Sequence, residues 1–118
     1  MTLTFRYPKI SEFEADWLAE IRQTHPKIRH AMLPVRHIAR NPFDRGQARS
    51  NRVKLASEVH DLRVRILESG RLDAILVARD LESGQWNLID GHHRLAVAKQ
   101  LGLKDVPVVM MEPPGWKD

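Results

Sequence analysis

A short apolar segment followed at once by glycine and a helical pattern constrains the fold of this chain more than any other stretch. Residues 86–90 (WNLID) have the composition of the end of a strand, and Gly91 marks a sharp turn directly after it. Residues 92–101 have helical composition, and Gly102 would close that helix. The sequence therefore predicts a strand, a tight glycine turn and a helix in immediate succession.

The first turn of that helix has the features of an anion site. It carries His92, His93 and Arg94, at a position where backbone N–H groups lack an acceptor within the helix and the helix dipole is positive. A phosphate can accept hydrogen bonds from those N–H groups, and Arg94 can add a bidentate contact. The residues favour a phosphate-binding turn, although the same arrangement also occurs in α/β proteins without such a site.

Composition limits the classes of protein to which the chain can belong. Its 118 residues are enough for one domain, which we expect to span residues 1–118. Because there is no cysteine, disulfides, thiolate catalysis and cysteine-ligated zinc are excluded. No apolar run approaches the roughly 20 residues of a membrane span, and the N-terminal residues lack the apolar core of a signal peptide. We expect a cytoplasmic protein that does not bind membranes.

The net charge of +4 is concentrated in one segment. Residues 27–54 contain eight lysines and arginines and one acid, Asp44. Such a segment is typical of a surface that binds DNA or a nucleotide. It is equally compatible with a solvated face whose arginines pair with carboxylates elsewhere.

Residues 1–30 read as an N-terminal helical extension on a core of residues 31–112. Ser11 and Glu14 have the spacing of a capping box, which predicts a helix over residues 11–23 with Phe13 and Trp17 in the core. Trp17 and Trp116 fit either burial within the monomer or the interface of a homodimer.

The remaining segments alternate between strands and helices. Pro34 favours an edge position for the first strand, and a polar segment broken by proline and glycine follows it. The Glu82-Ser83-Gly84 turn predicts a hairpin. In order, the predictions are a strand over 31–38, a helix over 50–69, a strand over 72–78, a strand over 85–90, a helix over 92–101 and a strand over 106–111.

Taken in this order, the motifs resemble the ParB/sulfiredoxin superfamily over residues 32–111. The matching parts are LPVRHIARNPF, a helix ending in ILESG, RLDAILVARD, and LIDGHHRLAVAKQLGLKDVPVVMM. ParB N-terminal domains carry a G-E-R-R box where this chain has Gly-His-His-Arg, and sulfiredoxins carry G-C-H-R there. The resemblance implies an α/β (α+β) fold, a small mixed sheet flanked by helices, here with an extra N-terminal helix.

The resemblance also implies that the chain binds ATP or CTP with Mg²⁺. In that family the glycine, the basic residue and the arginine of the box hold the phosphates, which gives Gly91, His93 and Arg94 here. The Asn-Pro loop and the start of the helix after it assist. Matching positions of this sequence are Asn41, Arg45 and Arg52.

Three functions remain open on these residues. The first is a nucleotide-binding module that is DNA-associated or regulatory. The second is a phosphotransferase or ATPase resembling free-serine kinases, with Asp90 as the base or as a magnesium ligand. The third is a magnesium-dependent ParB-like nuclease that acts on DNA through the basic segment.

His92 stands where sulfiredoxins have their catalytic cysteine and ParB proteins have glutamate. It is either a general base or nucleophile, or a replacement that has lost that chemistry. Because the chain has no cysteine, sulfinic acid reduction is excluded. Asp90 and His92 alone are too few ligands for a dedicated metal site, so none is predicted.

Overall fold

The computed structural model describes residues 2–39 and 49–116, with side chains for residues 2–39 and 56–116. Strands and helices alternate along it much as the sequence predicts. In chain order they are β1 (Thr4–Arg6), a 3₁₀ turn (Ile10–Glu12), α1 (Leu18–Thr24), β2 (Lys27–Pro34), a 3₁₀ turn (Val35–His37), β3 (Ile38–Ala39), α2 (Arg49–Ser69), β4 (Arg71–Asp73), β5 (Ile75–Arg79), β6 (Trp86–Asp90), α3 (His92–Gln100) and β7 (Asp105–Glu112).

A mixed five-stranded sheet forms the centre of the fold, in the order β2-β7-β5-β6-β3. Strands β2 and β7 are antiparallel, β7 and β5 parallel, β5 and β6 antiparallel, and β6 and β3 parallel. A separate two-stranded parallel sheet joins β1 to β4. The predicted fold class, a small mixed sheet flanked by helices, is confirmed.

Strand β5 is buried on both faces because its side chains alternate between two hydrophobic clusters. Ile75 and Val77 pack with Leu95 of α3 on one face, whereas Leu76 and Ala78 pack with Phe13 of the N-terminal segment on the other. The N-terminal residues therefore supply a layer of the core. They are more than a helical extension on its outside.

The predicted helix over residues 11–23 is wrong in its first half. The carboxylate of Glu12 accepts the Lys9 N–H at 2.6 Å and closes a 3₁₀ turn, and α1 begins only at Leu18. Because the helical spacing does not apply before Leu18, Trp17 does not join the buried stripe. It is 73% exposed and adopts a φ of 66°. Its predicted place in the core is therefore also wrong.

Two predicted strands are divided differently in the structure. Strand β2 begins at Lys27, four residues before the predicted start, and pairs on one side only, so the predicted edge position of Pro34 is confirmed. The apolar run 72–78 is split at Ala74, whose N–H donates to the Arg6 carbonyl oxygen at 2.7 Å. Residues before this point pair with β1, whereas those after it belong to the main sheet.

The predicted helices over 50–69 and 92–101 are confirmed as α2 and α3, each within one residue at either end. They pack together through Val59 and Ile66 of α2 and Val97 of α3. Among the helices of the described chain, none combines the length and the apolar character that crossing a membrane would need.

Candidate functional site

The turn between β6 and α3 is built around a glycine that no other residue could replace without strain. Gly91 has φ 109° and ψ 29°, and its carbonyl oxygen accepts the first helical hydrogen bond from the Leu95 N–H at 2.9 Å. A Cβ atom at this position would lie 2.6 Å from Cγ2 of Ile75 and 2.9 Å from its Cβ. The close approach of the turn to β5 therefore requires glycine.

Helix α3 begins at this turn without a capping side chain, because glycine has none. In the part of the chain that the structure describes, the N–H groups of His93 and Arg94 have no hydrogen-bond acceptor. Free N–H groups and the positive end of the helix dipole attract an anion. These two N–H groups at the start of α3 are therefore available to an acceptor.

Arg94 lies at the edge of an open hollow of about 330 Å³. Its guanidinium is partly exposed, and its Nη1 makes a long 3.4 Å contact to the Ala74 carbonyl oxygen. Leu62 and Ile66 give the hollow an apolar part. The polar lining consists of Arg65, Ser69, Arg71, Asp73 and Arg94. Three guanidinium groups thus face one carboxylate, which gives the hollow a positive charge.

The two histidines of the turn differ in their contacts. Nε2 of His93 lies 2.7 Å from Oε2 of Glu58 on α2, and both side chains are partly exposed. His92 is exposed, and neither histidine lines the hollow. The pairing with Glu58 joins the start of α3 to the middle of α2.

Asp90 occupies the last position of β6, directly before Gly91. Its Oδ2 accepts the backbone N–H of Glu14 at 3.0 Å, so the N-terminal segment fixes the orientation of this carboxylate. Asp90 is partly buried and does not line the hollow next to Arg94.

The other predicted site residues lie outside what the structure describes. Asn41 and Arg45 are outside the described residues, and Arg52 is described only as a backbone position of α2. In the described part of the basic segment, Lys27 and Arg36 are exposed, whereas Arg29 forms an ion pair with the buried Glu112.

Sequence reasoning named Arg52 at the start of α2 but missed what the middle and the end of this helix contribute to the site. Glu58, Leu62, Arg65 and Ser69 follow one another at intervals of three or four residues, which places them along one face of the helix. Arg65 lies on this face and lines the hollow. The helical spacing from Glu58 onward could have identified this face of α2. Nothing in the sequence, however, indicates that the face lies next to α3.

A second cleft, of about 390 Å³, lies at the opposite end of the β5–β6 hairpin. Arg79 lines it, with its guanidinium 4.0 Å from the centre of the Trp86 ring. Although this cleft is slightly larger, its described lining includes none of residues 90–94 and does not adjoin the start of α3. Over residues 2–39 and 49–116, no cluster of three or more histidine, aspartate or glutamate side chains could hold a metal ion.

Comparison with known proteins places this geometry in a family. The profile of the ParB N-terminal domain matches residues 18–115. The ATP-dependent L-serine kinase of Staphylothermus marinus is 25% identical over 87 residues, which are 73% of this chain and 34% of the kinase.

Solved structures share the fold. The chromosome-partitioning protein ParB of Caulobacter crescentus, C-terminally truncated and complexed with CTP-γ-S, is 28% identical with a TM-score of 0.54, over 74% of this chain and 46% of that one. Sulfiredoxin of Arabidopsis thaliana has a TM-score of 0.53 at 21% identity, over 71% of this chain and 85% of that one. This chain thus spans about a third of the kinase and less than half of the ParB chain. Since the profile covers most of the sequence, the chain belongs to the ParB N-terminal domain family, as the order of its motifs predicted.

Proposed function

We propose that this chain is a nucleotide-binding domain that holds the phosphates of ATP or CTP at the start of α3. The observation that carries the proposal is the Gly91 turn, which packs against Ile75 and leaves the N–H groups of His93 and Arg94 available to an anion. The ParB protein of Caulobacter crescentus, 28% identical over 74% of this chain, was solved with CTP-γ-S and supports the same ligand class.

The dimensions of the site suit an extended, polyanionic ligand. Glu58 contacts His93 at the turn that follows Gly91. Ser69, the last residue of α2, lines the hollow. These two positions are eleven residues apart on α2, which corresponds to about 16 Å along the helix axis. A nucleotide bound along this face would place its phosphates at the first turn of α3 and its nucleoside toward the C-terminal end of α2.

The test is a thermal-shift and calorimetric titration with ATP, ADP, CTP and GTP in the presence of Mg²⁺. A ligand present at 100 times its Kd should stabilise the fold by about 2.7 kcal/mol. Arg94→Ala should weaken binding by about tenfold or more, because it removes a charge-assisted contact to phosphate.

Arg22→Ala is the matched control for this variant. Arg22 is also partly exposed and also donates to a backbone carbonyl, that of Pro26 at 3.0 Å, but it lies on α1. It should bind nucleotides as the wild type does. No stabilisation of the wild type by any of the four nucleotides, or equal losses in the two variants, would refute the proposal.

A second candidate function is phosphoryl transfer to a small hydroxyl compound. It is favoured by Asp90, whose carboxylate is held by the Glu14 N–H next to the phosphate turn and could act as the base or hold Mg²⁺. The relative of Staphylothermus marinus, an ATP-dependent L-serine kinase, suggests free serine as the first acceptor to test. His92 is the other candidate for a catalytic group.

Transfer would be detected as serine-dependent consumption of ATP. Asp90→Asn should abolish this turnover while nucleotides still stabilise the protein, and His92→Ala shows whether the imidazole is needed as well. If nucleotide is bound but consumed neither with serine nor without it, serine phosphorylation and ATP hydrolysis by this domain are refuted.

Two alternatives remain: the chain binds DNA through residues 27–54, or it also cleaves that DNA as a nuclease. DNA binding through phosphate contacts would weaken steeply as the salt concentration rises. A nuclease would nick plasmid in the presence of Mg²⁺, and Asp90→Ala would remove that activity.

A location in the cytoplasm and a homodimer also stay predictions. Sedimentation of Trp17→Ala beside the wild type tests whether this exposed side chain contributes to a dimer.

A further inference from the structure

We infer that Asp73 selects the ligand by accepting a hydrogen bond from an N–H or O–H group of its nucleoside. The inference rests on the proposed nucleotide binding and extends it to specificity. It follows from the hydrogen bonding of one carboxylate, its position in the hollow and the charges around it.

The two carboxylate oxygens of Asp73 have different surroundings. Oδ2 accepts a hydrogen bond from Nη1 of Arg6 at 3.1 Å. Oδ1 is buried and has no hydrogen-bond donor among the described residues. Nε of Arg71 is near it at 3.5 Å, which makes an ion pair but not a hydrogen bond. A buried acceptor without a donor is unfavourable, so a ligand that supplies one gains affinity.

Arg71 is the side chain that a ligand would displace to reach Oδ1. More than half of the Arg71 side chain is exposed, so it can change rotamer at little cost. Ser69 cannot serve as the donor instead, because its hydroxyl contacts the Ile66 carbonyl oxygen and accepts the Arg71 N–H. The vacant hydrogen-bonding position is therefore open to a group from the hollow.

The charge of Asp73 assigns it to the nucleoside and not to the phosphates. It lies on β4 and lines the hollow together with Ser69, at the C-terminal end of α2, whereas the first turn of α3 contacts Glu58, eleven residues earlier on that helix. A carboxylate would repel phosphate but accepts from neutral donors. The nucleoside donors of ATP and CTP are the exocyclic amine of the base and the hydroxyl groups of ribose.

Four comparisons with the wild-type protein identify the donor. ATP is compared with inosine triphosphate and CTP with UTP, because each second base has a carbonyl in place of the amine. ATP is also compared with 2′-deoxy-ATP and with 3′-deoxy-ATP. A hydrogen bond to a charged acceptor predicts a Kd at least about tenfold weaker for the analogue that lacks the donor.

Asp73→Asn should reduce the ratio of the two Kd values, analogue over parent nucleotide, to about threefold or less. An amide can present either a donor or an acceptor to the ligand, so it discriminates less. Glu12→Gln is the matched control: Glu12 is the other carboxylate paired with Arg6, and it lies outside the hollow. It should keep the wild-type ratio. Unfolding of both variants without ligand shows whether the folded state is intact.

The outcomes separate this inference from the proposed function. If nucleotides bind but none of the four ratios exceeds about threefold, Asp73 does not select the ligand and nucleotide binding stands. The same conclusion follows if Glu12→Gln changes the ratio as much as Asp73→Asn does. If no nucleotide binds, both the proposed function and this inference are refuted.

Discussion

Replacing Gly91 by alanine tests the packing on which the candidate site depends. The new Cβ would lie 2.6 Å from Cγ2 of Ile75 and 3.2 Å from its Cα, in a backbone conformation with φ 109°. A side chain in an unfavourable φ region costs about 1–3 kcal/mol, and overpacking of a core costs about 1–3 kcal/mol more. We expect a loss of about 2–6 kcal/mol in the free energy of unfolding.

Gly102→Ala is the matched control for the clash. Gly102 also has a positive φ, 72°, but a Cβ there would meet no heavy atom within 4 Å. Its cost should be that of the backbone alone, about 1–2 kcal/mol. The difference between the two variants therefore measures the contact with Ile75.

The free energy of unfolding is measured in guanidinium chloride. Besides the wild type and Gly91→Ala, the measurement includes Ile75→Ala and the double variant that carries both changes. Because Ile75→Ala removes Cγ2, the cost of Gly91→Ala should fall by about 1 kcal/mol or more in its presence. Equal costs at Gly91 and Gly102 with no coupling to Ile75 would refute the close approach of turn and strand. In that case the glycine would serve only the backbone conformation.

Three further changes test other parts of the fold. Glu112→Ala should cost about 3 kcal/mol in denaturant unfolding, because the carboxylate is 1% exposed and forms ion pairs with Arg29 and with the nearly buried Arg79. A loss below about 1 kcal/mol would contradict this. Trp17→Gly should raise the free energy of unfolding by about 1 kcal/mol, because glycine adopts a φ of 66° without strain and the exposed indole buries little surface. A Tm below that of the wild type would contradict this and show that the Trp17 side chain stabilises the folded state. Hydrogen bonds from the Ser83 and Glu82 N–H groups lower the pKa of Asp80, so its carboxylate adds stability above about pH 4 that is lost as the pH falls further. Asp80→Asn should accordingly lose less stability than the wild type between pH 6 and pH 3, measured as denaturant midpoints, and parallel curves would contradict the assignment.

The sequence predicted the regular elements of the second half of the chain closely. The apolar segment before Gly91 and the helical pattern after it are local signals, and both elements begin and end within one residue of the prediction. The N-terminal half was less predictable. The spacing of Ser11 and Glu14 fits a capping box, but the chain forms only a 3₁₀ turn there and becomes extended at Phe13, which packs with Leu76. Burial of an aromatic side chain outweighs the weak preference of a short helix.

The residues around the hollow could not be assembled from sequence. Arg6 and Asp73 are 67 residues apart, and Glu58 and His93 are 35 apart. No periodic pattern connects such pairs, because each pair meets only after β1 has joined β4 and α2 has packed on α3. The same packing brought Arg65 to Arg94 and left Oδ1 of Asp73 without a donor.

By itself, the sequence determined the type and order of most elements, the glycine at the start of α3 and the positive charge of residues 27–54. These depend on side-chain period, backbone freedom and composition, which act within a few residues of the chain. The tertiary structure alone decided that the N-terminal segment would cover one face of the sheet and hold Asp90, and that α2 would face the turn at Gly91. Those contacts are set by the burial of apolar surface between elements distant in the chain, which no local pattern specifies.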